Sequence, residues 1–216
     1  MQVTFPQYPS LTHPVHSSVH NKVKRLIDII GSLFGLLIVG IVLIPVAVAI
    51  KLDDSGPVFY KQPRCGLNGT PFSIWKFRSM VVDADQIKHL VKNEAEGHIF
   101  KNSDDPRITR VGKFLRRTSL DEFPQFWNVL RGDMSLVGTR PPTLDEVKHY
   151  LPHHFKRLQV KPGITGEWQV QGRSQVKDFE AIVQMDLDYQ QKWSLLYDLK
   201  LMVSTIQVVV TRKGAM

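Results

Sequence analysis

Between Thr118 and Arg140 the run TSLDEFPQFWNVLRGDMSLVGTR sets an adjacent carboxylate pair, Asp121 and Glu122, just behind five basic residues, Arg107, Arg110, Lys113, Arg116 and Arg117. A Gly-rich turn follows and ends at Arg140. Carboxylates among cations suit chemistry on phosphates, because an ionised oxygen can attack or take a proton once nearby positive charge offsets the repulsion. Ser119 or Asp121 is expected to cap a helix reaching about Leu130, with Gly132 as its stop, which would hold the Asp121 carboxylate at the positive end of a helix dipole. A purely structural reading stands beside this one. Ser119-x-x-Glu122 is also a capping box, in which Glu122 does no more than satisfy a backbone N–H.

The run from Ser119 through Arg140 to Pro141 resembles the signature of the bacterial sugar transferases, the monotopic polyprenyl-phosphate phosphoglycosyl transferases. Three further blocks resemble the same family in order: Trp75-Lys-Phe-Arg-Ser-Met, Lys161-Pro-Gly-Ile-Thr-Gly-Glu-Trp-Gln-Val-Gln-Gly-Arg, and Asp186-x-x-Tyr189 with Trp193-Ser194 and Asp198-Leu199. Four ordered blocks between about Lys22 and Arg212 are a far more specific signal than one short pattern.

The resemblance implies an enzyme that moves a sugar 1-phosphate from a UDP-sugar to polyprenyl (undecaprenyl) phosphate and releases UMP. Asp121 would be the nucleophile, becoming a glycosyl-phosphoryl aspartate, and Glu122 would assist through a metal or by handling a proton. Both would ligate Mg²⁺, a hard cation that prefers oxygen and bridges phosphates. Lys76, Arg78, Arg117, Arg140 and Arg173 would contact substrate. Asp133 is either an outer partner of the metal or a loop-capping residue. A single displacement, with Asp121 as base and the lipid phosphate attacking directly, gives the same products. The resemblance further implies the bacterial inner membrane, with the catalytic domain facing the cytoplasm and touching membrane lipid. It leaves open the sugar and the oligomeric state, a homodimer included.

The elements that must position these groups follow from the rest of the chain. The 216 residues suffice for one domain with a sizeable core, and the excess of 28 Lys and Arg over 20 Asp and Glu gives a formal charge of +8. That balance suits nucleic acid, anionic lipid and phosphorylated substrates alike. The basic residues are not interleaved with exposed aromatics or tied to a reading motif, so a membrane-tethered nucleic-acid module is the distant alternative and no nucleic-acid partner is expected. The single cysteine, Cys65, excludes an internal disulfide and a CxxC zinc site.

Residues 1–21 carry Pro6, Pro9 and Pro14 among few apolar residues and read as a loosely attached tail. Residues 22–52 read as a membrane helix, with 22 uncharged residues from Ile29 to Ile50, enough at 1.5 Å per residue to reach about 33 Å. Pro45 predicts a break inside it. Three basic residues flank it on each side, as expected if both ends face the cytoplasm, so a re-entrant form is favoured over a spanning one.

Residues 53–216 are expected to form the catalytic domain that the resemblance implies. Val58–Gln62 and Phe72–Phe77 predict a hairpin around Asn68-Gly69-Thr70-Pro71, with Lys76 and Arg78 on one face. Residues 81–97 read as a polar helix, and 107–117 as an amphipathic helix on the membrane surface. Residues 143–157 suggest a helix interrupted at Pro152, with His153 and His154 on the surface. Leu158–Arg173 predicts a second hairpin, and 175–212 predict helix with a break near Trp193. The expected fold is α+β and predominantly helical, a single membrane-associated domain with interfacial helices and short hairpins.

Overall fold

The computed structural model describes residues 14–95, 99, 100, 102–171, 176 and 178–211. The architecture is mostly helical with two small sheets. A short helix α1 (Ser17–His20) leads through Asn21 into α2 (Lys22–Asp53), whose first turn is capped by the Asn21 carboxamide. The segment expected to hang loose is docked from His16 onward. The His16 N–H donates to the Gln159 carbonyl, and its ring sits edge-on to Trp193.

Helix α2 is long and apolar enough to cross a membrane. Its buried residues are Lys24, Asp28, Ser32, Gly35, Val39, Val46 and Ile50, which at 3.6 residues per turn fall within an arc of roughly 80°. Leu26, Ile30, Phe34, Leu37, Ile41 and Ile44 lie exposed on the other side. The helix continues through Pro45 to Asp53, so the expected break does not end the element. A proline removes one backbone donor, and beyond it Val46 and Ile50 are held against a cluster that includes Phe77 and Leu115.

Both ends of α2 are fastened to the same body. Near the start, Lys24 Nζ donates to Asp198 at 2.6 Å and to the Val137 carbonyl at 2.9 Å, while Arg25 donates to the Val129 and Leu130 carbonyls, both at 2.7 Å. At the far end, Asp53 accepts the Val111 N–H at 2.8 Å, and Asp54 accepts from the backbone of Gly56 and Val82. These charged side chains, buried or half-buried, are tolerated because each meets a carboxylate, a carbonyl or a backbone N–H.

Strands β1 (Phe59–Cys65) and β2 (Pro71–Phe77) form the expected antiparallel hairpin, with Tyr60 opposite Lys76 and Arg64 opposite Phe72. The polar helix expected over 81–97 is absent from its described residues, which form turns and one 3-10 turn at Lys88–Leu90. Tyr60 anchors that segment by donating its hydroxyl to Asp85 at 2.7 Å. Helix α3 (Arg110–Arg117) is capped by Thr109 and lies so close to the strand exit that a Cβ on Gly112 would stand 1.9 Å from the Ser79 carbonyl oxygen.

Helix α4 (Gln125–Arg131) ends on Gly132 at φ 91°, the left-handed stop expected there. Strand β3 (Ser135–Val137), helix α5 (Leu144–Lys148), strand β4 (Gly163–Thr165) and helix α6 (Glu167–Gln171) follow. The second hairpin is not formed: β4 pairs in parallel with the distant β3, and the residues after it turn helical. Helices α7 (Phe179–Lys192) and α8 (Leu195–Thr211) flank the expected break at Trp193. The fourth sequence block is a packing hub there, since Asp198 accepts from Lys24, Tyr189 and Trp193 together.

Candidate active site

The carboxylate pair rides on one 3-10 turn, Leu120–Glu122, packed between α3 and β2. Ser119 enters that turn in the left-handed region at φ 57° and makes no cap bond, so neither the expected capping box nor the single helix to Leu130 forms. The left-handed residue interrupts the helical path, and α4 begins only after Pro124, which has no N–H to continue a ladder. The Asp121 side chain is buried in this turn.

The strand beside it supplies the first cation. Lys76 Nζ donates to Glu122 Oε1 at 3.0 Å, with both side chains about one quarter exposed. Asn128, buried on α4, holds that geometry: its Oδ1 accepts the Trp75 N–H at 3.0 Å and its Nδ2 donates to the Ser73 carbonyl at 2.8 Å. One side chain thereby fixes the strand carrying Lys76 against the helix that follows Glu122. Nothing in the sequence pattern singled it out, because an Asn inside a helix carries no visible partner. Asp133 accepts from Asn128 Nδ2 at 3.2 Å.

The remaining expected cations divide. Arg78 does not face the carboxylates. Its side chain is buried and turned to Asp54, with Nη2 donating to the carbonyl at 2.6 Å and Nη1 3.0 Å from the carboxylate. The strand ends at Phe77, so the alternation that would have set Arg78 beside Lys76 has already lapsed. Arg117 is exposed at the end of α3. Its neighbour Arg116 donates to the Ser79 hydroxyl at 2.9 Å. Arg107, counted among the surface cations, is buried and forked onto Asp105. Arg173 lies outside the described residues.

Arg140 stands 5.7 Å from the Trp168 ring centroid and grips both oxygens of Glu146, at 2.7 and 3.1 Å. Burial disfavours a charged Glu146, but the charge and hydrogen bonds of Arg140 outweigh it and bring its pKa down to about 2. Behind them Arg157 donates to Asp186 and to the Tyr150 hydroxyl. Arg140 is therefore paired within a buried ionic cluster. The segment that follows it, 141–143, is stitched to the end of β1 through the Cys65 N–H and the Pro142 carbonyl.

Asp121 and Glu122 offer carboxylate oxygens alone, a donor set that fits a hard divalent cation such as Mg²⁺. Among the described residues, a different group has metal-binding spacing: His153, His154 and Glu180. His154 is buried rather than on the surface as expected. Its Nδ1 accepts the Leu151 N–H at 2.9 Å, so Nε2 carries the proton shared with Glu180 at 2.6 Å. Both ring nitrogens are thus committed to hydrogen bonds.

Residues 19–212 match the family described as bacterial sugar transferase. The chain is 50% identical over 216 residues to the galactosyl transferase CpsE of Streptococcus agalactiae serotype III (strain NEM316), covering 98% of this chain and 48% of that one. It is 40% identical to the UDP-glucose:undecaprenyl-phosphate glucose-1-phosphate transferase of Escherichia coli (strain K12), over 97% of this chain and 45% of that one. With the uncharacterized sugar transferase EpsL of Bacillus subtilis (strain 168) it shares 36% identity, over 88% of this chain and 89% of that protein. The chain thus spans about half the length of the first two relatives and most of the third.

Proposed function

The chain belongs to the bacterial sugar transferase family, and from that premise we propose that it transfers a sugar 1-phosphate from a UDP-sugar to undecaprenyl phosphate with release of UMP. The observation that carries this reading is the turn that sets a buried Asp121 next to Glu122, itself bonded to Lys76. That is a nucleophile with cationic support on the side where phosphate charge must be met. Two of the relatives are a galactosyl and a glucose-1-phosphate transferase, so the sugar stays at the level of a UDP-hexose.

In the first half-reaction an Asp121 oxygen attacks the sugar-bearing phosphorus of the donor. The bond from that phosphorus to the bridging oxygen breaks, and UMP leaves with the electron pair. In the second, a phosphate oxygen of the lipid attacks the same phosphorus and the aspartate carboxylate departs. One phosphoanhydride replaces another at little net cost. Mg²⁺, held by Asp121 and Glu122, would supply charge neutralisation across the diphosphate. Lys76 adds a fixed positive charge on the strand side.

The same reading puts the protein at the inner leaflet, its catalytic body on the cytoplasmic side and α2 entering and leaving by one face. Two features support that seating. Both ends of α2 bond to one body, and the outward side of α8 carries Leu196, Leu199, Val203, Ile206 and Val210 in helical spacing.

Rapid quenching of the protein with radiolabelled UDP-sugar in nanodiscs, without lipid acceptor, tests the route. Labelled protein whose adduct maps to Asp121, together with one UMP released per site, is the expected result. UMP release that strictly requires the lipid phosphate, with no adduct, would replace the covalent path by direct displacement.

A further inference from the structure

Arg64 lies in none of the four motif blocks and counts in the sequence only as one of the basic residues flanking the apolar run. On the hairpin, Tyr60, Gln62 and Arg64 share a face with Lys76, since Tyr60 and Lys76 are directly opposed and alternate residues point the same way. Lys76 reaches Glu122 from that face. Arg64 Nη1 bonds the Pro141 carbonyl, next in the chain to Arg140, so Arg64 joins the hairpin face that carries Lys76 to the segment that carries Arg140.

The arginines there are not partnered alike. Arg140 takes both oxygens of Glu146, and Arg157 takes Asp186. Arg64 has neutral acceptors only: its Nε and Nη2 donate to Gln62 Oε1 at 3.0 and 2.6 Å, and its Nη1 to the Pro141 carbonyl at 2.8 Å. Among the described residues no carboxylate hydrogen-bonds it. A half-buried guanidinium held rigidly by uncharged partners keeps its electrostatic demand and two spare N–H groups. Burial and the neighbouring Arg140 pull its pKa down to about 10, leaving it fully charged at neutral pH.

Resting on the function proposed above, we infer that Arg64 is a phosphate-binding residue of the transfer site, its guanidinium receiving a phosphate of the substrate between Lys76 and Arg140. Its position is set in advance from two sides, by the β1–β2 ladder and by the bridge between Arg64 and Thr143. A planar fork already anchored through three of its donors loses little freedom when it takes an anion.

The test uses the full chain in nanodiscs and four probes: UDP, uridine, inorganic pyrophosphate and undecaprenyl phosphate. Arg64→Gln should bind UDP roughly tenfold or more weakly while uridine binding is unchanged, and should lose the thermal stabilisation by pyrophosphate that the natural protein shows. A loss confined to undecaprenyl phosphate would assign the contact to the acceptor instead, with the anion role intact. Equal weakening of UDP and uridine, or no weakening of any phosphate probe, would overturn it. If Arg64→Gln does not fold, Arg64→Lys, which keeps the charge without the fork, should fold and still weaken UDP severalfold; unchanged affinity there sinks the inference. Should the natural protein respond to pyrophosphate through Arg64 yet release no UMP from any UDP-sugar, the proposed function fails and the anion site stands.

Discussion

Lys76 Nζ and Glu122 Oε1 meet at 3.0 Å, joining the second strand of the hairpin to the turn that carries Asp121. Because both partners are about one quarter exposed, the bond contributes about 1 kcal/mol or less to stability. Its weight falls on the reaction. Lys76→Met should lower UMP release at least tenfold with little change in melting temperature, and Asp121→Asn should abolish it. Turnover and melting curves recorded on the same preparations check both; near-normal turnover by the Asp121 variant would remove it as nucleophile.

Arg78 should behave in the opposite way. It joins the strand exit to the end of α2 through Asp54, so Arg78→Ala leaves Asp54 without its cation and the buried space unfilled. A stability loss of about 2–4 kcal/mol is expected. UDP affinity of the protein that remains folded should hold, as titration calorimetry would reveal; selective loss of UDP binding at normal stability would return Arg78 to the substrate.

The Arg140–Glu146 pair predicts a particular response to acid. The folded pKa of Glu146 is about 2, against an ordinary value of 4.5. The folded state therefore binds this proton less readily than the unfolded chain. Stability from the pair is complete above about pH 4.5 and is lost as the pH falls toward 2, a contribution on the order of 3 kcal/mol. The stability gap between the natural protein and Glu146→Gln should narrow over that window in denaturant titrations. A gap that stays constant would mean that Glu146 acts by shape alone.

Local pattern carried much of this fold. The β1–β2 hairpin, the Gly132 stop and the break at Trp193 are each dictated by residues a few positions apart, through turn chemistry or alternation. What escaped depends on partners far along the chain. The segment after Leu158 has the composition of a hairpin, but its strand finds β3 instead. Arg78, Arg107 and Arg140 look alike as cations in a string; only their carboxylates, Asp54, Asp105 and Glu146, separate anchors from free charge. Asp121, Glu122 and Lys76 come from two motif blocks that the fold brings together, whereas the contacts of Arg64 and Asn128 emerge only from the side chains around them.

Fastening both ends of α2 to one body turns that body into a ruler. One residue added between Ser32 and Val46 would rotate everything beyond it by about 100° and swing Val46 and Ile50 off the Phe77–Leu115 cluster. Most membrane helices tilt or flex to suit the thickness of the surrounding lipid. Helix α2 answers to the protein it is fastened to, so turnover should vary little between vesicles of short and long acyl chains, while a single inserted alanine should be fatal.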